Sequence, residues 1–259
     1  MISIHPRLAA FIDAIFSYII IWWFLNITST WYILIWFAMR IVWWGTLVNF
    51  VYYPPYINRY KHLFAIILGN IGITSLLIFS DPSNLLITKI ISILVPSISF
   101  WLIPAHADNL SVMEKPHRRW KLFMSLLGVY GFWLAFFATT IFQIIQGYEI
   151  LWGILGASLM VSLVSVWEWF EYGEKFTTKL ILMAFLLFLI LAETAGIVFL
   201  WPVGYFVGSF FLTWIWYVVW LLIRFSLTTT GIDWNKQRGF LVSNLIIMVL
   251  FLAFVVRWN

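Results

Sequence analysis

Nine runs of apolar residues, separated by short polar segments, make up most of the chain: 8–27, 31–53, 63–80, 85–105, 122–146, 150–170, 180–201, 203–227 and 240–258. An α-helix rises about 1.5 Å per residue, so roughly 20 residues cross a hydrocarbon core of about 30 Å, and each run fits that length. Two of the divisions follow from length alone. One helix over 180–227 would be about 72 Å long, so the chain must turn near Trp201 and Pro202, where proline cannot continue a helix. The stretch 8–53 must likewise turn between Asn26 and Thr30. The pattern predicts an all-α, polytopic transmembrane helical bundle forming a single integral membrane domain over 1–259.

The polar segments fall into two alternating kinds. Every second one is basic: Arg7; Arg59 and Lys61; Lys115, Arg118, Arg119 and Lys121; Lys175 and Lys179; Lys236 and Arg238. Those between carry no Lys or Arg and contain Asp81 and Glu149, and only Arg257 falls on their side. Basic loops stay on the cytoplasmic face during insertion. The alternation therefore predicts about nine spans, N-terminus in and C-terminus out, as four outward helical hairpins plus a final helix. Outward spans begin at intervals of about 55 to 60 residues, as recurring hairpins do. Within that recurrence, Arg59 to Gly72 and Arg118 to Gly131 share Arg, Leu-Phe, Leu, Gly and Gly in register, six identities in fourteen positions. The match fits a duplicated segment, and it fits hairpin geometry imposed on similar apolar helices.

Composition agrees with lipid as the main solvent. The chain is 64% hydrophobic and only 10% charged, whereas a soluble domain carries about 25% charged residues. The net charge of +5 reflects insertion bias and gives no reason to expect a nucleic-acid partner. A basic cytoplasmic rim is expected to attract anionic lipid headgroups. With no cysteine, disulfides, thiolate metal sites and cysteine nucleophiles are excluded. The first run lacks a small-residue cleavage site and reads as a retained helix. No GxSxG elbow, phosphate-cradling glycine loop or HExxH occurs, and the last spans hold no central Lys for a retinal Schiff base. All four histidines fall near the cytoplasmic edge, away from where transmembrane haem ligands would sit. No cofactor and no metal are expected.

Charge inside the hydrocarbon costs about 2.5–3.5 kcal/mol at a helix centre and marks functional candidates. Asp13, Arg40, Lys89 and Glu193 qualify. Counted along the predicted spans, Arg40 and Glu193 lie slightly outside the midplane and Lys89 further out, so they could pair. Glu193 sits in Ala192-Glu193-Thr194-Ala195-Gly196, where small neighbours would let another helix close over the carboxyl. Asp13, near the inner edge of its span, reads as a snorkelling or capping residue.

Polar positions recur at helical spacing on three spans. Lys89, Ser92, Pro96 and Ser99 do so on the fourth, where Pro96 frees the Ser92 carbonyl and offers a hinge. Ser158, Ser162, Ser165 and Glu168 do so on the sixth, and Thr139, Gln143 and Gln146 on the outer half of the fifth. Such faces line a water-accessible groove or pack as small residues. Gly204 with Gly208, Gly153 with Ala157 and Ala192 with Gly196 are small-residue pairs suited to close helix approach. At the cytoplasmic side, His106, Asp108, Glu168 and Glu171 gather groups that could hold a divalent metal or a phosphorylated headgroup, although their spacing fits no zinc signature.

Three functions fit these features. The first is a carrier or channel for a small polar or lipid-like solute. The second is a structural or assembly subunit of a membrane complex. The third is a membrane-embedded enzyme acting on a lipid headgroup, and the balance of features leans away from it. The expected location is the plasma (inner) membrane. The expected partners are the bilayer, anionic headgroups, and either another membrane protein or a second copy of the chain.

Overall fold

The computed structural model describes residues 4–24, 26, 30–51, 59–79, 85–102, 114–228 and 231–254. Among them the secondary structure is helical, without strands: α1 (Pro6–Phe24), α2 (Thr30–Val51), α3 (Arg59–Phe79), α4 (Leu85–Leu102), α5 (Glu114–Ile141), α6 (Glu149–Glu171), α7 (Thr178–Phe199), α8 (Tyr205–Leu227) and α9 (Trp234–Phe254). Eight of these are long and apolar enough to cross a membrane, and α3 contributes a shorter apolar stretch, Leu63–Phe79. The protein is a multi-pass membrane protein built as a helical bundle.

The helix ends follow local chemistry. Pro6 opens α1, at a position where its missing N–H is not needed. Thr177 caps α7, its hydroxyl accepting the Leu180 N–H at 3.2 Å. The expected turn at Trp201 and Pro202 falls between α7 and α8. Two helices end in the same six-residue wrap. After α6, Gly173 takes φ 88°, the Gly173 N–H meets the Phe170 carbonyl and the Glu174 N–H meets that of Trp169. After α5 the left-handed residue is Gln143, φ 57°, and the Gln143 and Ile144 N–H groups meet the carbonyls of Thr140 and Thr139. The fifth span therefore stops at Ile141, five residues earlier than its apolar run, which continues through Ile144 and Ile145.

The chain forms two compact units, Met1–Gly131 and Phe132–Asn259. In the first, α1 packs against α4 and α2, and α3 against α2 and α4. Ala9, Trp44, Leu47, Val48, Ile66 and Phe100 form its core cluster. The two segments that share six identities lie directly on each other. A Cβ on Gly131 would stand 2.5 Å from the Gly72 Cα, one on Gly128 would stand 2.8 Å from the Leu68 carbonyl oxygen, and one on Gly72 would run into the Leu127 carbonyl. Leu68 and Leu127 are themselves matched positions. Each segment thus offers its glycine to the other's leucine, a parallel crossing with local two-fold character that only glycine permits.

In the second unit, α6 packs against α7 and α7 against α8. Trp169, Trp216 and Trp220 are fully buried there. No residue of α9 between Gln237 and Phe254 is buried. That helix meets α8 through the Trp214 indole N–H donating to Asn244 Oδ1 at 2.9 Å and through Phe251 beside Phe210 and Trp214.

Candidate functional site

Asp13, read from sequence as a snorkelling or capping group, is enclosed within the first unit. Asp13 is completely buried and lies about two turns into α1, which runs from Pro6 to Phe24. Its carboxylate collects four donors from three helices. The indole N–H groups of Trp43 and Trp44 on α2 both reach Oδ1, at 3.0 and 3.1 Å. The hydroxyls of Ser97 on α4 and Ser17 on α1 reach Oδ2, at 2.9 and 3.4 Å. A carboxylate buried in apolar surroundings persists only with such compensation.

Arg40, from the middle of α2, is Asp13's counter-charge within the first unit. The guanidinium is 1% exposed, lies over the rings of Trp44 at 4.5 Å and Trp36 at 5.6 Å, and donates from one terminal nitrogen to Ser17 Oγ at 2.7 Å. Positions 36, 40 and 44 are four apart, so one face of α2 supplies the cation and both rings. Among the described residues no direct ion pair joins Arg40 to Asp13. Ser17 stands between them, accepting from the guanidinium and donating to the carboxylate. The Arg40 Nε has no hydrogen-bond partner.

Ser97 adds a choice. Its single hydroxyl proton faces two acceptors, Asp13 Oδ2 at 2.9 Å and the Ile93 carbonyl of its own helix at 2.7 Å. It follows Pro96, which lies buried inside α4 and cannot hydrogen-bond the Ser92 carbonyl. Ser92 and Ser99 share this buried face. Ser92 donates to the Thr88 carbonyl at 2.6 Å, and Ser99 accepts the Trp120 indole N–H at 2.9 Å. Lys89 is half-buried, on the flank of the face rather than in it. Elsewhere in the unit, Asn70 Nδ2 and Oδ1 and Thr74 Oγ1 on α3 are buried without partners.

The other expected sites divide. Ser158, Ser162, Ser165 and Glu168 are all buried on one face of α6, but two of the serines clasp neighbouring helices instead of lining a groove. Ser162 donates to the Ala184 carbonyl of α7 at 2.7 Å, and Ser165 accepts the Trp216 indole N–H of α8 at 2.7 Å. Thr139 turns its hydroxyl back onto the Ala135 and Phe136 carbonyls. Gln143 lies exposed in the turn beyond α5, so the expected polar face there ends with the helix.

Glu193 is exposed, not enclosed. The buried face of α7 is Leu180, Leu187, Leu191, Ala195 and Val198, and Glu193 falls on the opposite side. Of the cytoplasmic cluster, His106 and Asp108 lie outside the described residues, Glu168 is buried and Glu171 half-buried. Among the described residues no three His, Asp or Glu side chains converge as a metal would require.

The residues missed from sequence were Ser17, Ser97, Trp43 and Trp44. The spacing of Asp13 to Ser17 and of Arg40 to Trp44, four residues each, was the available signal. Compared with protein-family models, with curated proteins and with solved structures, the chain has no match in any of the three.

Proposed function

We propose that the protein is a carrier for a small polar solute and that Asp13 and Arg40 are the pair its transport cycle works on. The observation that carries this reading is the incompleteness of the pair. A buried ion pair kept for stability alone repays its desolvation only with close geometry and full hydrogen bonding. Here the cation reaches the anion through a serine and keeps an unused Nε–H. A buried donor without a partner has a free-energy cost that a bound solute would remove.

The mechanism uses groups already in contact. With Asp13 charged, Ser97 donates to it and α4 is tied to α1. When a solute group or a proton takes over the carboxylate, Ser97 turns to the Ile93 carbonyl, and the α1–α4 tie is released beside Pro96, where α4 lacks one backbone hydrogen bond. Arg40 keeps the site receptive to an anionic or hydrogen-bond-accepting group, and the tryptophans exclude water. A second reading, a subunit of a membrane assembly, is favoured by the exposed carboxyl group of Glu193.

The test is electrical. The full chain is reconstituted in proteoliposomes on a solid-supported membrane and challenged with amino acids, carboxylates, organic amines and inorganic anions. At least one class is expected to evoke a current that falls at least about tenfold in Asp13→Asn and in Arg40→Gln, the loss that about 1.4 kcal/mol of interaction produces. Silence of the wild-type chain across the panel, or currents unchanged in both variants, overturns the proposal.

A further inference from the structure

The exposed side of α7 carries a pattern that lipid does not explain. Leu182, Leu186, Leu189, Glu193 and Gly196, with Leu200 as the C-cap directly after the helix, are separated by four, three, four, three and four residues. This seven-residue repeat puts every member on one seam of a helix that pairs with another helix. The leucines are 62%, 45%, 40% and 80% exposed in chain order. Glu193 is exposed, and a Cβ added at Gly196 would meet no atom within 4 Å. Among the described residues Glu193 has no hydrogen-bond or ion-pair partner. Acyl chains solvate the leucines, but they offer nothing to a carboxyl nearly two turns inside an apolar helix.

We infer that this seam is the interface of a parallel homodimer, α7 against α7, with the two Glu193 carboxyls hydrogen-bonded to each other across a two-fold axis. Three features select a second copy of this chain as the occupant. A carboxyl is its own complement: two neutral groups close two O–H···O bonds, each donating one proton and accepting one, and a pair sharing one proton keeps one such bond. Copies inserted with the same topology run parallel and bring Glu193 to the same depth, as an isologous contact requires. In a seam of this spacing Glu193 takes the same place in the repeat as Leu186 and Leu200, where a lone polar residue fixes register and oligomeric state. Gly196, next on the seam, leaves room for the facing helix.

The cysteine-free sequence makes the test direct. Leu189→Cys on the seam and Ile181→Cys on an exposed position off it are introduced separately into the full chain. Each is reconstituted at low protein-to-lipid ratio and oxidised with copper phenanthroline. Leu189→Cys is expected to give a covalent dimer and Ile181→Cys to remain a monomer. Adding Glu193→Leu to Leu189→Cys is expected to weaken dimerisation roughly three- to twenty-fold, the effect of one intramembrane hydrogen bond, and Glu193→Gln to retain most of it. Equal cross-linking at positions 189 and 181, or dimerisation unchanged by Glu193→Leu, overturns the interface. Because Leu189→Cys retains Glu193, the first comparison stands even where Glu193→Leu fails to insert.

Discussion

Asp13 and Arg40 are both buried and touch through a third residue: Ser17 accepts from the guanidinium at 2.7 Å and faces the carboxylate at 3.4 Å. The relay makes each charge the other's compensation without locking the two together. Removing one member should cost more than removing both. Asp13→Leu leaves Arg40 buried without its counter-charge and two indole N–H groups without an acceptor, a loss of about 3–5 kcal/mol. The double variant Asp13→Leu, Arg40→Met should regain a large part of that, because no buried charge is left. Denaturant unfolding in mild detergent, followed by tryptophan fluorescence, gives the three stabilities.

The glycine crossing of α3 and α5 has a sharp control within the same chain. Gly72→Ala forces a methyl group into the Leu127 carbonyl and Gly131→Ala one into the Gly72 backbone, each expected to cost about 1–3 kcal/mol. Gly156→Ala meets nothing within 4 Å and lies inside α6, where alanine is the better helix former by about 1 kcal/mol. The same unfolding measurement should therefore move in opposite directions for the two kinds of substitution.

Gln143 holds the left-handed position that glycine holds after α6. Gln143→Gly should stabilise the turn by about 0.5–1 kcal/mol, since the side chain is exposed and only its backbone strain is removed. A rise in thermal midpoint shows it.

Ser165 links α6 to α8 through the Trp216 indole N–H. Ser165→Ala leaves that buried donor without an acceptor and should cost about 1–3 kcal/mol. Ser165→Thr keeps the hydroxyl and should cost less, and comparing the two separates the hydrogen bond from packing volume.

The division of the chain into helices was legible in its hydrophobic pattern, because a span of fixed length and a proline at 202 leave few alternatives. Helix ends were less so. The apolar run of the fifth span continues to Ile145, yet the backbone wraps back at Gln143, a choice made by carbonyl satisfaction and not by hydropathy. That Asp13, Arg40 and Glu193 were worth attention followed from the cost of intramembrane charge, but which of them meet did not. Pairing depends on the rotation of each helix about its own axis, and in apolar helices almost every face is hydrophobic, so the sequence carries little signal for it. Glu193 points out because Leu187, Leu191 and Ala195 point in. Trp43 and Trp44 stand among many tryptophans in apolar spans, and their role as donors to Asp13 depends on where α1 lies.

Whether the Asp13 core ever opens is the direct test of the carrier account, and the absence of native cysteine allows a single reporter. Ser97→Cys places a thiol, nearly isosteric with the hydroxyl, beside the carboxylate, and a membrane-impermeant charged methanethiosulfonate is applied to sealed vesicles of either orientation. The account predicts modification from at least one side of the folded, membrane-embedded chain. A thiol that stays unmodified from both sides, and reacts only after unfolding in detergent, would contradict it and leave the Asp13–Arg40 pair as a fixed structural lock.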